Sequence, residues 1–170
     1  ISDLLEQHDA GVYSLEKSVA MMRDNGWKKN GDGMWEKEGQ TVRMAINIFG
    51  AFNDIGQVLV AQLKKAGFDA SFRMLSDVYD QMSQGEARAF LNGHAGSVRD
   101  PYFTLRLYHS RFVKPTGEPA EHFWRWSNTE FDAIVDEMGR TAADDPKLHG
   151  LFREAMAIWL AEMPSVPILQ

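Results

Sequence analysis

The chain has 170 residues, of which 44% are hydrophobic and 11% aromatic, and its formal net charge is −6. This length and composition are typical of one globular domain, and they are too apolar for a disordered chain. The negative charge argues against a nucleic-acid partner, and no stretch clusters Lys and Arg as binding to an anionic membrane surface would require. The sequence contains no Cys, which excludes disulfides, cysteine-ligated metals and thiol nucleophiles.

The first part of the chain alternates helix and strand signals. Residues 1–13 are weakly patterned and are predicted to form an arm or a helix remnant. Ser14 is typical of a helix N-cap, and Gly26 predicts the end of that helix. A turn and a hairpin follow, and residues 41–48 alternate apolar and polar side chains as a half-buried strand does. In that strand Asn47 falls on the polar side.

A helix is predicted from about Asp54 to the cap residue Gly67, followed by a strand at 68–75, a short helix at 77–84 and a brief strand at 89–91. A loop with two glycines then leads to Asp100 and Pro101, a combination that predicts the start of a helix.

The last part of the chain is predicted to contain an irregular segment and two helices. Ser127 with Glu130 has the spacing of a capping box, and the final helix is predicted to start at Asp145 and Pro146. This order of elements favours an α/β fold in which helices pack on a mixed β-sheet. No repeat or linker divides the chain, so we expect one domain.

The segment 92–102 is the first candidate binding region. It follows a predicted strand, and ligands of α/β sheets bind at strand ends. Its glycines allow close approach of the backbone, and Ser97, Arg99 and Asp100 offer hydrogen-bonding groups. The alternative is an ordinary connection in which Asp100 caps the following helix.

Two tryptophans form the second candidate. Trp124 and Trp126 lie in the run Phe-Trp-Arg-Trp, which could present a stacking platform for a sugar or an apolar side chain. Alternation along the run would instead send Phe123 and Arg125 to one face and Trp124 and Trp126 to the other, with one of the two pairs closing the core.

Catalytic and metal-binding motifs are absent from the sequence. It has no nucleophile elbow, phosphate-binding loop or zinc-binding His-Glu-x-x-His pattern. The spacing of His94, His109 and His122 does not indicate a metal site, and Asp132 and Asp136 are predicted to lie on a solvated helix face.

Several segments, taken in order, resemble the C-terminal lobe of family 5 extracellular solute-binding proteins, the peptide, nickel and oligosaccharide receptors of bacterial ABC importers. The resemblance extends over about residues 14–169, and it rests on 25–27, 31–39, 63–68, 99–101, 108–110, 126–132 and 162–168.

The resemblance implies a periplasmic-binding-protein-like fold of type II and a fragment of a larger, two-lobed receptor, with residues 14–170 as the C-terminal ligand-binding lobe. It implies a periplasmic protein that binds a small solute, performs no chemistry, needs no cofactor, and acts with a missing N-terminal lobe and the membrane subunits of a permease. The chain begins at Ile1 without a signal peptide, so we expect a processed or excised sequence, and we expect one lobe alone to bind solute poorly.

Peptide-binding members of this family carry an Asp four residues before the Pro of the Asp-Pro pair and commonly an aromatic residue three positions earlier. Here these positions hold Ser97 and His94. The resemblance implies an oligopeptide or an oligosaccharide-like solute. Because a buried ammonium without a carboxylate is costly, the neutral, oligosaccharide-like solute is favoured. The predicted ligand contacts are His94, Gly96, Ser97, Arg99, Asp100, Trp124 and Trp126.

Two other functions stay open at this point. A small hydrolase would use His94 or His109 with Asp100, and it predicts a perturbed His or carboxylate in an enclosed pocket. A protein-interaction module predicts a convex apolar patch centred on Trp124 and Trp126.

Overall fold

The computed structural model describes residues 2–93 and 100–168. Its contacts divide the chain into two compact units, one made of Tyr13–Gly93 and the other of Ile1–Val12 with His94–Gln170. The helices are α1 (Ser2–Gln7), α2 (Leu15–Asp24), α3 (Asn53–Ala66), α4 (Val78–Gln84), α5 (Pro101–Leu105), α6 (Thr129–Arg140) and α7 (Lys147–Glu162). The strands are β1 (Lys28–Lys29), β2 (Trp35–Lys37), β3 (Gln40–Thr41), β4 (Arg43–Ile48), β5 (Asp69–Met74) and β6 (Phe90–Leu91).

The α/β fold class predicted from the sequence is confirmed, and its strands are divided between two sheets. Strands β1, β2 and β3 form an antiparallel sheet in that order, whereas β5, β4 and β6 form a parallel sheet with β4 in the middle. In the unit made of Ile1–Val12 and His94–Gln170, the predicted helix remnant forms α1. This helix packs on α7, and its Asp3 forms an ion pair with Arg153.

Trp35 fixes the antiparallel sheet to the end of α3. Its side chain is 1% exposed, and its indole Nε1 donates a hydrogen bond to the carbonyl of Ala66 at 2.9 Å. Its backbone N–H donates to the carbonyl of Gly67 at 2.7 Å. Gly67 ends α3 in the left-handed conformation, with φ of 99°, which confirms the predicted cap and is a geometry that glycine adopts without strain.

Helix α3 covers one face of the parallel sheet. Ile46, Ile48 and Leu91 form the buried centre of this layer. Gly56 lets the helix come close, because a Cβ placed there would lie 2.9 Å from Cδ1 of Ile48.

Asn47 corrects the half-buried pattern predicted for β4. It lies on the predicted polar side of the strand but is only 2% exposed, because α4 covers this second face. Its Nδ2 donates to Oε1 of Gln81 on α4 at 2.9 Å, and its Oδ1 accepts from Nη2 of Arg73 on β5 at 3.2 Å. Both the oxygen and the nitrogen of the buried Asn47 amide are therefore hydrogen-bonded. Gln81 in turn donates to Asp77 at 2.9 Å.

We expect Asn47→Ala to lower the free energy of unfolding by about 2–3 kcal/mol, because the Gln81 acceptor is left without its donor beneath α4. Chemical denaturation followed by circular dichroism measures this loss. Asn53→Ala at the start of α3 is the matched control, since that amide donates to the exposed Asp54 at 3.2 Å. Equal losses for the two variants would contradict the assigned role of Asn47.

The second unit is built around α6 and α7. Phe131, Val135 and Met138 of α6 pack against Ala155 and Trp159 of α7. These residues follow the helical spacing seen in the sequence, so the two helices share one apolar interface.

The capping box predicted at Ser127 is wrong by one residue. Asn128 is the N-cap of α6, and its Oδ1 accepts a hydrogen bond from the N–H of Phe131 at 2.9 Å. Its Nδ2 also donates to Oε1 of Glu162 at 2.7 Å. Asn caps as well as Ser does, and here it also joins the start of α6 to the end of α7.

Glu137 connects α6 to the start of α7. Its carboxylate accepts from Nζ of Lys147 at 2.6 Å and from Nη2 of Arg140 at 2.9 Å. Hydrogen bonding to Lys147, and then to Arg140, lowers the pKa of Glu137 from 4.5 to about 2.

We expect this ion pair to stabilise the fold above pH 4.5 and to be lost as the pH falls through about 2, because the folded state holds the charged carboxylate more tightly than the unfolded state does. The effect is small, since the group is exposed and screened by solvent. Glu137→Gln should therefore flatten the acid limb of a plot of melting temperature against pH; an unchanged acid limb would contradict the assignment.

Within the described ranges, no helix combines the length and apolar character needed to cross a membrane.

Candidate functional site

The carboxyl ends of the parallel strands form the candidate site. The chain leaves the central strand β4 through α3 to reach β5 on one side, and returns through α4 to β6 on the other side. Ile46 and Ile48 pack towards α3 whereas Asn47 faces α4, so the two connections lie on opposite faces of the sheet. In α/β folds ligands commonly bind outside the carboxyl ends of the adjacent strands at such a switch point. Here these strands are β4 and β6, and we call this edge of the sheet the candidate crevice.

Two short segments border this crevice. After β4 the chain continues as Phe49 and a 3-10 helix at Gly50–Phe52, and after β6 it continues as Asn92 and Gly93. They approach closely, since a Cβ on Gly93 would lie 3.1 Å from Cζ of Phe52.

The aromatic side chains of this border were missed by the sequence analysis. Phe49 and Phe52 meet edge to face, with ring centroids 6.2 Å apart, and both are half-buried. An aromatic residue directly after a predicted strand was the available signal. The topology that makes this strand end a border was not visible in the sequence.

The predicted contacts of the glycine-containing loop fall into two groups. His94, Gly96, Ser97 and Arg99 lie outside the described residues, and their roles stay predictions. Asp100 is described and exposed, and its Oδ1 accepts a hydrogen bond from the N–H of Tyr102 at 2.9 Å. Its carboxylate therefore caps α5, with Pro101 in the first turn, which is the alternative that the sequence offered.

Both predicted tryptophans pack against the core of their unit. Trp124 stacks on Tyr108 with centroids 5.0 Å apart, and Trp126 meets Phe131 edge to face at 4.9 Å. The indole Nε1 of Trp126 also donates to Oε2 of Glu162 at 2.5 Å. The indoles thus share one face, as the alternation predicts; that they also contact a ligand stays a prediction.

Tyr108 is buried against the stacked ring of Trp124. Burial raises the pKa of its hydroxyl, which shares a hydrogen bond with Oγ of Ser165 at 2.8 Å. The residues after α7 are joined to the core through this bond.

His109 is engaged with α6. Its Nδ1 accepts from the N–H of Arg111 at 3.1 Å, and its Nε2 lies 3.2 Å from Oδ1 of Asp136. Asp132 accepts from the N–H of Ser110 at 2.9 Å. The prediction that these two carboxylates lie on a solvated helix face is therefore wrong for Asp132, whose side chain is mostly covered.

The arrangement of titratable groups in the described ranges gives no support to the hydrolase alternative. The carboxyl groups with lowered pKa values, Asp3 and Glu137, are exposed and paired with cations. No group of three or more His, Asp or Glu side chains suited to a metal ion occurs among the residues that the structure describes.

Comparison with known proteins identifies the family. Residues 2–115 match the family described as bacterial extracellular solute-binding proteins, family 5, middle. No curated protein sequence matches the chain.

Solved structures share the fold. NikZ from Campylobacter jejuni, in complex with Ni(L-His), is 17% identical, with a TM-score of 0.75 over 89% of this chain and 31% of its own. AppA from Bacillus subtilis, in complex with a nonapeptide, is 22% identical, with a TM-score of 0.72 over 89% and 30%. DppA from Helicobacter pylori, in complex with the peptide STSA, is 18% identical, with a TM-score of 0.72 over 91% and 28%.

The chain spans about a third of the length of these structures. The family match covers more than half of the chain, and the fold is shared with these solved structures. The chain belongs to the family 5 bacterial extracellular solute-binding proteins.

Proposed function

We propose that this chain is part of the substrate-binding component of an ABC importer, which captures a solute in the periplasm and delivers it to the membrane permease. The observation that carries the proposal is the switch point of the parallel sheet, where the segments that follow β4 and β6 bring Phe49, Phe52 and Gly93 together. The segment 14–170 would act as the C-terminal lobe. Solute would stabilise a closed state by binding it more tightly than the open state.

The solute that fits this border best is neutral. Residues 49–53 and 92–93 contain no ionisable side chain, and the carboxylate of Asp100 is already used to cap α5. Together with Ser97 in place of the acidic residue of peptide-binding members, this composition leaves no carboxylate within residues 49–53 and 92–93 for a peptide ammonium. The neighbouring carboxylate of Asp54 already accepts a hydrogen bond from Nδ2 of Asn53 at 3.2 Å. Aromatic rings and amide groups suit the apolar faces and hydroxyls of an oligosaccharide.

Peptides and nickel complexes are the alternatives, because AppA and DppA are complexed with peptides and NikZ with Ni(L-His). A thermal-shift panel on the complete receptor separates the three classes. A solute at about 100 times its Kd adds roughly 2.7 kcal/mol of apparent stability. A shift with oligosaccharides supports the proposal; a shift only with free-amine peptides or nickel chelates contradicts the neutral-solute assignment, and no shift with any class contradicts solute binding.

We expect Phe49→Ala to weaken binding of the active solute about tenfold, since a lost aromatic contact of this kind is worth about 1–1.5 kcal/mol. Calorimetric titration of the complete receptor measures the Kd. Tyr13→Ala is the matched control, because Tyr13 is a highly exposed aromatic residue outside the segments 49–53 and 92–93. Equal Kd values for Phe49→Ala and the parent would contradict the placement of solute at this crevice.

A further inference from the structure

The sequence contains three Asn-Gly pairs, beginning at Asn25, Asn30 and Asn92. In such a pair the backbone nitrogen of Gly can attack Cγ of Asn and expel its amide nitrogen as ammonia, since Gly has no side chain to obstruct the approach. The reaction needs a backbone N–H that is free of hydrogen bonds and a carboxamide that can turn. The structure separates the three pairs by these two requirements.

The pair at Asn25 meets neither requirement. The N–H of Gly26 donates to the carbonyl of Arg23 at 2.9 Å, within the end of α2. The side-chain Nδ2 of Asn25 donates to the carbonyl of Met21 at 2.8 Å. Both the attacking nitrogen and the leaving amide are therefore held, and reaction would break two hydrogen bonds.

The pair at Asn30 is restrained through its carboxamide. Oδ1 of Asn30 accepts from the N–H groups of Asp32 and Met34, each at 3.0 Å. The backbone N–H of Asn30 donates to the carbonyl of Met34 at 2.9 Å. Turning the carboxamide for attack by the Gly31 nitrogen would break both bonds to Oδ1, so this pair is also protected.

The pair at Asn92 lacks these restraints. Strand β6 ends at Leu91, and Asn92 and Gly93 belong to no helix or strand. Within the described part of the chain, neither the carboxamide of Asn92 nor the N–H of Gly93 takes part in a hydrogen bond. Gly93 is exposed, so water can reach the bond that reacts.

We propose that Asn92 is a site of spontaneous deamidation in the folded protein. The nitrogen of Gly93 forms a bond to Cγ of Asn92 and loses its proton, and the Cγ–Nδ2 bond breaks to release ammonia. Water then opens the resulting succinimide at either carbonyl carbon, which gives aspartate or isoaspartate at position 92. No electron is transferred, and water is the only co-reactant.

The consequence concerns the candidate crevice and rests on the proposed function. The product places a carboxylate at the carboxyl end of β6, beside the segment 49–53, which has no ionisable side chain of its own. An anion there favours cationic solutes over neutral ones. A receptor deamidated at Asn92 would therefore bind a neutral solute more weakly and an amine-bearing solute more tightly.

Peptide mass mapping of the complete receptor, incubated at mildly alkaline pH, tests the modification. We expect the peptide containing Asn92 to gain one mass unit several-fold faster than the peptides containing Asn25 and Asn30, with both aspartate and isoaspartate forms present. In denaturant the three rates should converge, because the hydrogen bonds at Asn25 and Asn30 are then lost. Asn92→Ser should abolish the gain at this peptide.

Conversion at Asn25 or Asn30 that is as fast as at Asn92 in the folded protein would overturn the proposal, as would no conversion at Asn92. Solute binding is measured separately with Asn92→Asp. An unchanged preference between neutral and cationic solutes in that variant would contradict the proposed function of the crevice while leaving the modification itself intact.

Discussion

Trp35→Ala is expected to lower the free energy of unfolding by about 3–5 kcal/mol, within the range for truncating a buried large aromatic side chain. The indole fills the space between the antiparallel sheet and the end of α3, and it is 1% exposed. Its loss also leaves the carbonyl of Ala66 without the Nε1 donor at 2.9 Å. Urea denaturation followed by circular dichroism measures the change.

Trp35→Phe separates the two contributions. It keeps most of the apolar packing but removes the hydrogen bond to Ala66, so a loss of about 1–2 kcal/mol is expected. Trp27→Phe, at a half-buried tryptophan in the same unit, is the control. If Trp35→Ala cost no more than that control variant, the assigned role of Trp35 would be wrong.

Phe131→Ala is the second change with a large expected effect, about 3–5 kcal/mol. Phe131 is fully buried where α6 meets α7. The ring of Trp126 meets it edge to face, with ring centroids 4.9 Å apart. Removing the ring leaves a cavity that helices packed on both sides cannot fill without moving.

Phe131→Leu should cost clearly less than Phe131→Ala, since much of the apolar volume is kept. The exposed Phe103 provides a control of the same residue type in the same unit. Comparable losses for Phe131→Ala and Phe103→Ala in thermal denaturation would contradict the central position of Phe131.

Local signals in the sequence predicted much of the fold. Ser14 caps α2 by accepting from the N–H of Lys17 at 3.2 Å, and Gly67 and Pro101 end and begin helices as expected. These features depend on neighbouring residues, which is why a sequence pattern can identify them.

Features that depend on long-range packing were not predicted. Asn47 was assigned to an outward face because period-two patterning cannot tell whether a second helix covers that face. The division of the strands into an antiparallel and a parallel sheet likewise depends on which strands meet in space. Asn128 rather than Ser127 caps α6, and its Nδ2 also donates to Glu162 at the end of α7.

The candidate site was predicted only in part. The segment after β6 was identified from its glycines and its position after a strand, and the topology now explains why that position matters. The opposing segment at Phe49 and Phe52 was missed, because the sequence did not show that β4 and β6 are neighbours. Trp124 packs against the core because it stacks on Tyr108. Only the tertiary structure shows this contact.

Hydrogen–deuterium exchange of the complete receptor, with and without the solute that raises its melting temperature, tests the central claim most directly. We expect solute to slow amide exchange in residues 49–53 and 92–93, on the two sides of the candidate crevice at the ends of β4 and β6. Exchange at the exposed turn 30–33 should be unchanged. Protection elsewhere in the chain, with none in these two segments, would contradict the claim that the carboxyl edge of the parallel sheet binds the solute.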